Sequence, residues 1–288
     1  KMTLDLIEVK PHLNVKKVVI ITIVLILIIS LISTAIFFGV RHYNKNLSII
    51  ESDILAKNKP THELFFLDNA KKNKIVERVS HIYNSDYKRV FLTFDDGPSK
   101  SVTIPILDIL KQNNVKATFF VLGSNAERYP EIVKRAYQEG HYIANHSFTH
   151  VYSNIYSSPQ AVLDEYNRTE TAIKKAIGDQ TYNSRVFRFP GGTSGGKYAD
   201  IKTEAVNLLN QNSVAHLDWN ALTADAAGLD NVNDMMSYVE STMGNKNSVV
   251  ILMHDIGTKK STYELLPQLI QVLKEKGYVF ENIYDILK

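Results

Sequence analysis

Two carboxylates stand side by side at Asp95 and Asp96, just before a Gly97-Pro98 turn signal. Adjacent carboxylates in different surroundings can divide two tasks, one holding a cation and one moving protons. Asp-Asp-Gly is also ordinary turn chemistry, so a second group has to decide. That group is Asn145-His146-Ser147-Phe148-Thr149-His150. Imidazoles four residues apart share one face if the piece is helical, and such a pair suits Zn²⁺ or a similar divalent ion. The segment lacks the internal glutamate of His-Glu-x-x-His. Asp96, His146 and His150 together would hold a cation and leave a position open for water, as catalytic metal sites require.

Three further groups have usable chemistry. Arg188-Phe189-Pro190-Gly191-Gly192 offers an arginine able to grip a carboxylate through two hydrogen bonds. Its Pro-Gly-Gly lets backbone N–H groups come close to a substrate. Gly191 to Lys197 also fits the start of a phosphate-binding loop, but Tyr198 stands where that loop needs Ser or Thr for Mg²⁺. A nucleotide is therefore not an expected ligand. Leu217-Asp218-Trp219-Asn220 holds the chain's one tryptophan, either core filler or one wall of an apolar pocket, with Asp225 downstream. Ile251-Leu252-Met253-His254-Asp255 places His254, with the chemistry of a general acid, at the end of an apolar run. His12, His42, His62, His81, His141 and His216 have no such company and read as structural.

These groups need a scaffold that brings their ends together. Strand patterns cover Arg89–Thr93, Ala117–Val121, Tyr142–Asn145, Val186–Phe189, Val214–Leu217, Val249–Leu252 and Tyr278–Phe280. Helical patterns lie between them, near 102–113, 126–138, 159–176, 201–211, 230–243 and 262–276. Alternation of strand and helix predicts parallel strands with crossover helices, as a barrel or a doubly wound sheet. Both architectures put active sites at the C-terminal ends of the strands, where the groups above fall.

The chain has 288 residues, enough for one large domain with additions. A hydrophobic content of 44% with 22% charged residues is globular. A net charge of +3 and the lack of a Lys/Arg block argue against a nucleic-acid partner. The absence of cysteine excludes disulfides, thiolate metal sites and cysteine nucleophiles. After a short segment 1–17, residues 18–40 are uncharged and largely apolar. As a helix this span would be about 34 Å long, against about 30 Å of hydrocarbon. It is longer than a signal-peptide core and no clear small-x-small cleavage site follows, so an uncleaved transmembrane anchor is expected. Lysines and arginines on the two sides nearly balance, so charge does not settle its orientation. Residues 41–87 read as a stalk and 88–288 as the catalytic domain.

Thr-Phe-Asp-Asp-Gly, His-Ser-x-x-His, Arg-x-Pro-x-Gly, an Asp-Trp region and Leu-x-His follow one another in this order from about residue 88. In that succession the chain closely resembles the NodB-type polysaccharide deacetylases, carbohydrate esterase family 4. The resemblance implies an α/β fold, a distorted (β/α) barrel, and metal-dependent removal of N-acetyl groups from aminosugar polymers. It implies Asp95 as general base, Asp96, His146 and His150 as ligands of Zn²⁺, Co²⁺ or Mn²⁺, and Arg188 orienting Asp95. His254 would be the general acid, with Trp219 and Leu252 lining the acetyl pocket and the Gly191 N–H meeting the oxyanion. The sequence departs from the pattern twice. Many relatives carry tyrosine where this chain has Gly191, and the aspartate that tunes the acid is either Asp225 or Asp218, with Asp225 preferred. The expected substrate is peptidoglycan N-acetylglucosamine, with the domain tethered outside the cell. Chitin oligomers, acetylated xylan and a non-catalytic wall-binding role are the alternatives.

Overall fold

A computed structural model of the chain describes residues 69–287. The expected anchor at 18–40 and the first part of the stalk lie outside the described residues; among those described, no helix is long and apolar enough to cross a membrane. The architecture is a parallel-strand α/β half-barrel. Its strands are β1 (Arg89–Asp95), β2 (Thr118–Val121), β3 (Tyr142–Asn145), β4 (Val186–Phe187), β5 (Ala215–His216), β6 (Ala221–Leu222), β7 (Ser248–His254) and β8 (Val279–Glu281). They lie in the order β5-β4-β3-β2-β1-β7-β6, so β5 and β6 end the sheet on its two sides. β1 sits at the centre. It pairs with β7 along its whole length, and on its other flank with β8 at Arg89–Phe91 and then with β2 at Thr93–Asp95.

The alternation of side chains along a strand decides what faces where. Val90, Leu92 and Phe94 join Phe119, Val121, Ile143, Val249 and Ile251 in the cluster beneath the crossover helices. These helices are α2 (Thr103–Asn113), α3 (Gly123–Arg128), α4 (Pro130–Gln138), α6 (Pro159–Ile177), α8 (Val232–Met243) and α9 (Lys260–Glu275), while α7 (Ala199–Gln211) packs Ala205 and Leu209 with Phe187, Phe189 and Val214 in a separate cluster. Phe91, on the opposite face, joins Phe120, Tyr142, Ala144, Val186 and Val250 inside the half-barrel. Burial on both faces explains why β1 reads as an apolar run from Val90 to Phe94, broken only by buried Thr93. Thr93 and Asp95 continue the parity of Phe91, so the base candidate arrives on the inner face by strand geometry.

The boundaries differ from the sequence reading where local chemistry intervenes. The helix expected over 126–138 is two, α3 and α4, because Pro130 starts a new helix and pushes Tyr129 out of the helical region. β6 is too short to give a periodic signal. The segment 41–87 is not uniformly a stalk, since α1 (Asn69–Ser80) buries Ile75 and Val79, and Ile82 follows them. These three pack with Phe91, Phe120, Ala215 and Leu217 in the inner cluster. The packed domain therefore starts upstream of residue 88. Their spacing of four and three is a helical stripe. Two small helices, α5 (Tyr152–Ile155) and α10 (Ile283–Leu287), complete the set.

Candidate active site

A cleft of about 470 Å³ opens at the C-terminal ends of the strands, lined by Asp95, Asp96, His146, His150, Gly191, Trp219, Asp225, Leu252 and His254 among others. β1 delivers Asp95 and β7 delivers His254 as register partners across one parallel ladder. Asp95 is 2% exposed, and Arg188, with no exposure, donates to it from Nη1 to Oδ1 at 2.9 Å. The same Nη1 reaches Thr93 Oγ1 at 2.7 Å. Nε and Nη2 donate to the carbonyls of Leu217 and Asp218 at 2.9 and 3.0 Å. The guanidinium also lies over the Phe120 ring at 4.0 Å. It is therefore clamped on three sides and gives Asp95 a single bond from Nη1, not the two-pronged grip expected from the sequence. Burial raises the Asp95 carboxyl above its usual range, and the charges of Arg188 and His254 oppose that rise.

Asp96, His146 and His150 bring one potential ligand atom each to within 4.8 Å of one another. Asp96 Oδ1 lies 3.4 Å from His146 Nε2 and 3.2 Å from His150 Nε2. His146 Nδ1 hydrogen-bonds the Arg188 carbonyl at 2.8 Å, which places the proton there and turns the Nε2 lone pair toward the cluster. Burial holds the His146 ring to about 3, so it is a neutral imidazole, as ligation requires, and its contact with Asp96 is no ion pair. Asp96 Oδ1 is buried with no hydrogen-bond partner among the described residues. A buried carboxylate oxygen without a hydrogen bond, facing the His146 lone pair and the His150 ring nitrogen, is costly unless a cation joins them. The donor set of two nitrogens and one carboxylate suits Zn²⁺, Co²⁺ or Mn²⁺. Asp96, Ser147 and His150 have positive φ values of 72°, 71° and 58°. Non-glycine residues rarely adopt this conformation, and such strain gathers at functional sites.

The histidine segment is held from behind by α6. Ser158 caps that helix by accepting from the Ala161 N–H, Pro159 opens it, and Gly178 at φ 81° closes it. Buried Glu165 accepts from the N–H groups of Phe148 and Thr149 at 2.7 and 2.8 Å. Glu170 accepts from Asn145 Nδ2 at 3.1 Å, and Asn145 Oδ1 accepts from the Ser147 N–H at 3.1 Å. The segment is thus not a helix with two imidazoles on one face. It is a loop bent by α6 until both rings meet Asp96.

Across the cleft, Asp225 accepts from His254 twice, from Nδ1 at 2.9 Å and from the backbone N–H at 2.7 Å. Thr262 Oγ1 adds a third bond at 3.0 Å. Burial would lower the His254 pKa, but the bond to Asp225 and the charges of Asp225, Asp95 and Asp96 outweigh it and raise the ring to about 9. Asp218 does a different job. It accepts from the Thr193 N–H at 3.1 Å and, at very short range, from the Thr193 hydroxyl. It braces the loop at Gly191 and Gly192 and makes no bond to His254. Tyr156 Oη and buried Lys202 Nζ brace the same loop, donating at 2.7 Å to the carbonyls of Pro190 and Gly192 respectively. Gly192 has φ +71°, which favours glycine, and a Cβ there would press on the Trp219 ring at 3.1 Å. Trp219 and Leu252 supply apolar wall to the cleft. His216 and His141 stay away from it. His216 meets the Phe189 ring edge-on, and His141 accepts from the Ala117 N–H.

Sequence reasoning missed Glu165, Glu170, Tyr156 and Lys202, which belong to no expected motif yet hold the His146–His150 and Arg188–Gly192 segments in place. A glutamate within an otherwise apolar helical stripe was the available signal for the first two.

A family model described as "Polysaccharide deacetylase" matches residues 83–214. A peptidoglycan-N-acetylglucosamine deacetylase of Bacillus cereus is 33% identical over 211 residues, 72% of this chain and 73% of that protein. A CE4 esterase of Streptococcus mutans has a similar fold with a TM-score of 0.66 and 36% identity, over 72% of this chain and 90% of that one. The catalytic domain of a peptidoglycan N-acetylglucosamine deacetylase from Eubacterium rectale gives 0.63 and 34%, over 69% and 90%.

Proposed function

Because the chain belongs to the polysaccharide deacetylase family, we propose that it hydrolyses the N-acetyl groups of peptidoglycan N-acetylglucosamine, with Asp95 as base and His254 as acid. The observation that carries this reading is the meeting of two prepared proton carriers and one Asp-His-His cluster in a single cleft. Asp95 is oriented by Arg188 on one side, and His254 is charged by Asp225 on the other.

An amide carbonyl is a weak electrophile. A divalent cation held by Asp96, His146 and His150 would polarise it and acidify the attacking water. Asp95 takes a proton from that water as its oxygen bonds to the carbonyl carbon. The carbonyl oxygen gains negative charge, and the Gly191 N–H at the cleft edge is the backbone donor for it. His254 then gives its Nε2 proton to the sugar nitrogen as the carbon–nitrogen bond breaks. Acetate and a free amine result. Trp219 and Leu252 take the acetyl methyl. The product amine is cationic at neutral pH, so the reaction changes the charge of the polymer. We further propose that residues 18–40 anchor the enzyme in the cell membrane with this domain outside, where the wall polymer lies.

The test is acetate release from intact peptidoglycan by the full chain, with and without chelator, beside Asp95→Asn. Release that stops with chelator and falls at least a thousandfold in the variant is expected. Release from chitin oligomers or acetylated xylan but not from peptidoglycan would move the substrate assignment. Retained Zn²⁺ binding with no release from any of the three would leave a wall-binding protein.

A further inference from the structure

Gly191 and Tyr152 share one small volume. Gly191 has φ +75°, and a Cβ placed on it would meet Tyr152 Oη at 2.6 Å and Cζ at 3.3 Å. The phenol hydroxyl therefore occupies the space that a side chain at 191 would take. Both residues border the cleft together with Asp96, His146 and His150. Tyr152 opens α5, directly after the histidine loop. Its ring is fixed between His150 and Tyr156, with centroids 5.6 Å from each. Tyr156 in turn is pinned by its bond to Pro190. Tyr152 remains 40% exposed, and its hydroxyl makes no hydrogen bond among the described residues. A rigid ring thus carries an unspent donor to the rim of the site, beside the backbone N–H assigned to the oxyanion.

We propose that Tyr152 is a further catalytic residue: its phenol O–H donates to the acetamide oxygen as that oxygen gains charge, alongside the Gly191 N–H. This rests on the deacetylase reading above. A phenol is protonated at neutral pH and donates without needing a partner to charge it. A donor aimed at developing charge acts chiefly on the transition state, so its loss appears in kcat more than in KM. The same contact gives Gly191 a second reason to be glycine, since any larger residue would displace the hydroxyl.

Tyr152→Phe keeps the ring against His150 and removes only the hydroxyl. The full chain and this variant are compared on solubilised peptidoglycan glycan strands for kcat and KM, and by chelator competition for Zn²⁺ affinity. The expected result is a kcat lower by about tenfold to a hundredfold, with KM and Zn²⁺ affinity within about twofold of the parent. An unchanged kcat overturns the proposal, whatever happens to KM. So does a fall in kcat matched by a fall in Zn²⁺ affinity, which would make Tyr152 a packing partner of His150. If the parent itself releases no acetate, the deacetylase reading fails first, and the role of Tyr152 falls with it before any variant is compared.

Discussion

On the proposed mechanism, two side chains of opposite charge would set the pH range in which the cleft works. His254 must carry its proton to act as acid, and its ring stands at about 9, so activity is lost as pH rises through that value. Asp95 must be ionised to act as base, and burial raises it, so activity is lost as pH falls through a value above the usual carboxylate range. Asp225 is the lever on the alkaline side. It lies below its own ordinary value, because the His254 ring bonds it strongly enough to overcome burial, and so it stays ionised throughout. In Asp225→Asn burial prevails at His254, and the alkaline limb of kcat/KM should move from about pH 9 toward or below 6.5, the ordinary value of the ring. A pH–rate profile of the variant checks this; an unmoved limb would separate Asp225 from the acid. At this scale the sequence was informative. Asp95, Asp96, His146, His150, Arg188 and His254 are polar residues ending apolar runs, which is a visible contrast. The sequence favoured Asp225 over Asp218 without showing why: β6, which pairs with β7 and leads the chain to Asp225, is too short to read, so both aspartates follow the one strand pattern Val214–Leu217.

Elements do the positioning, and α6 does the most with the least notice. Its outward chemistry is that of an ordinary capped helix. Its two inward carboxylates hold the histidine loop so that both rings meet Asp96. Glu165→Ala should leave Phe148 and Thr149 without their acceptor and lower Zn²⁺ affinity by about ten- to a hundredfold. Glu165→Gln, which keeps an oxygen in place, should recover most of it. Chelator competition reads both, and equal affinity in all three chains would mean that the loop holds its shape unaided. The sequence showed β1, β2, β3 and β7 because each is an apolar run bounded by turns. It hid β6, and it shortened β7, whose pairing continues through His254. It also hid α1, because the Lys-rich start of that helix drew attention from the stripe at Ile75, Val79 and Ile82. These are tertiary facts. A helix counts as part of a core only once its partner surface exists.

For the whole molecule, the proposed anchor at 18–40 and the proposed wall substrate make one scheme. A chain lacking residues 1–40 should leave the membrane fraction while keeping its rate on soluble glycan strands. Fractionation of cells expressing both forms, followed by acetate release, checks this. Equal partition of the two forms would remove the anchor from the account. The centre of the sheet has a consequence of its own. β1 carries Asp95 and leads directly into Asp96, and it is also the strand most fully enclosed by neighbours, with β7 on one flank and β8 then β2 on the other. Local openings begin where backbone pairing is sparse, and β1 is the last place for one to begin. As the protein is heated, the machinery cannot come apart ahead of the scaffold from this side. Residual turnover during melting would therefore count intact molecules, and the enzyme would serve as its own gauge of how much of it is still folded.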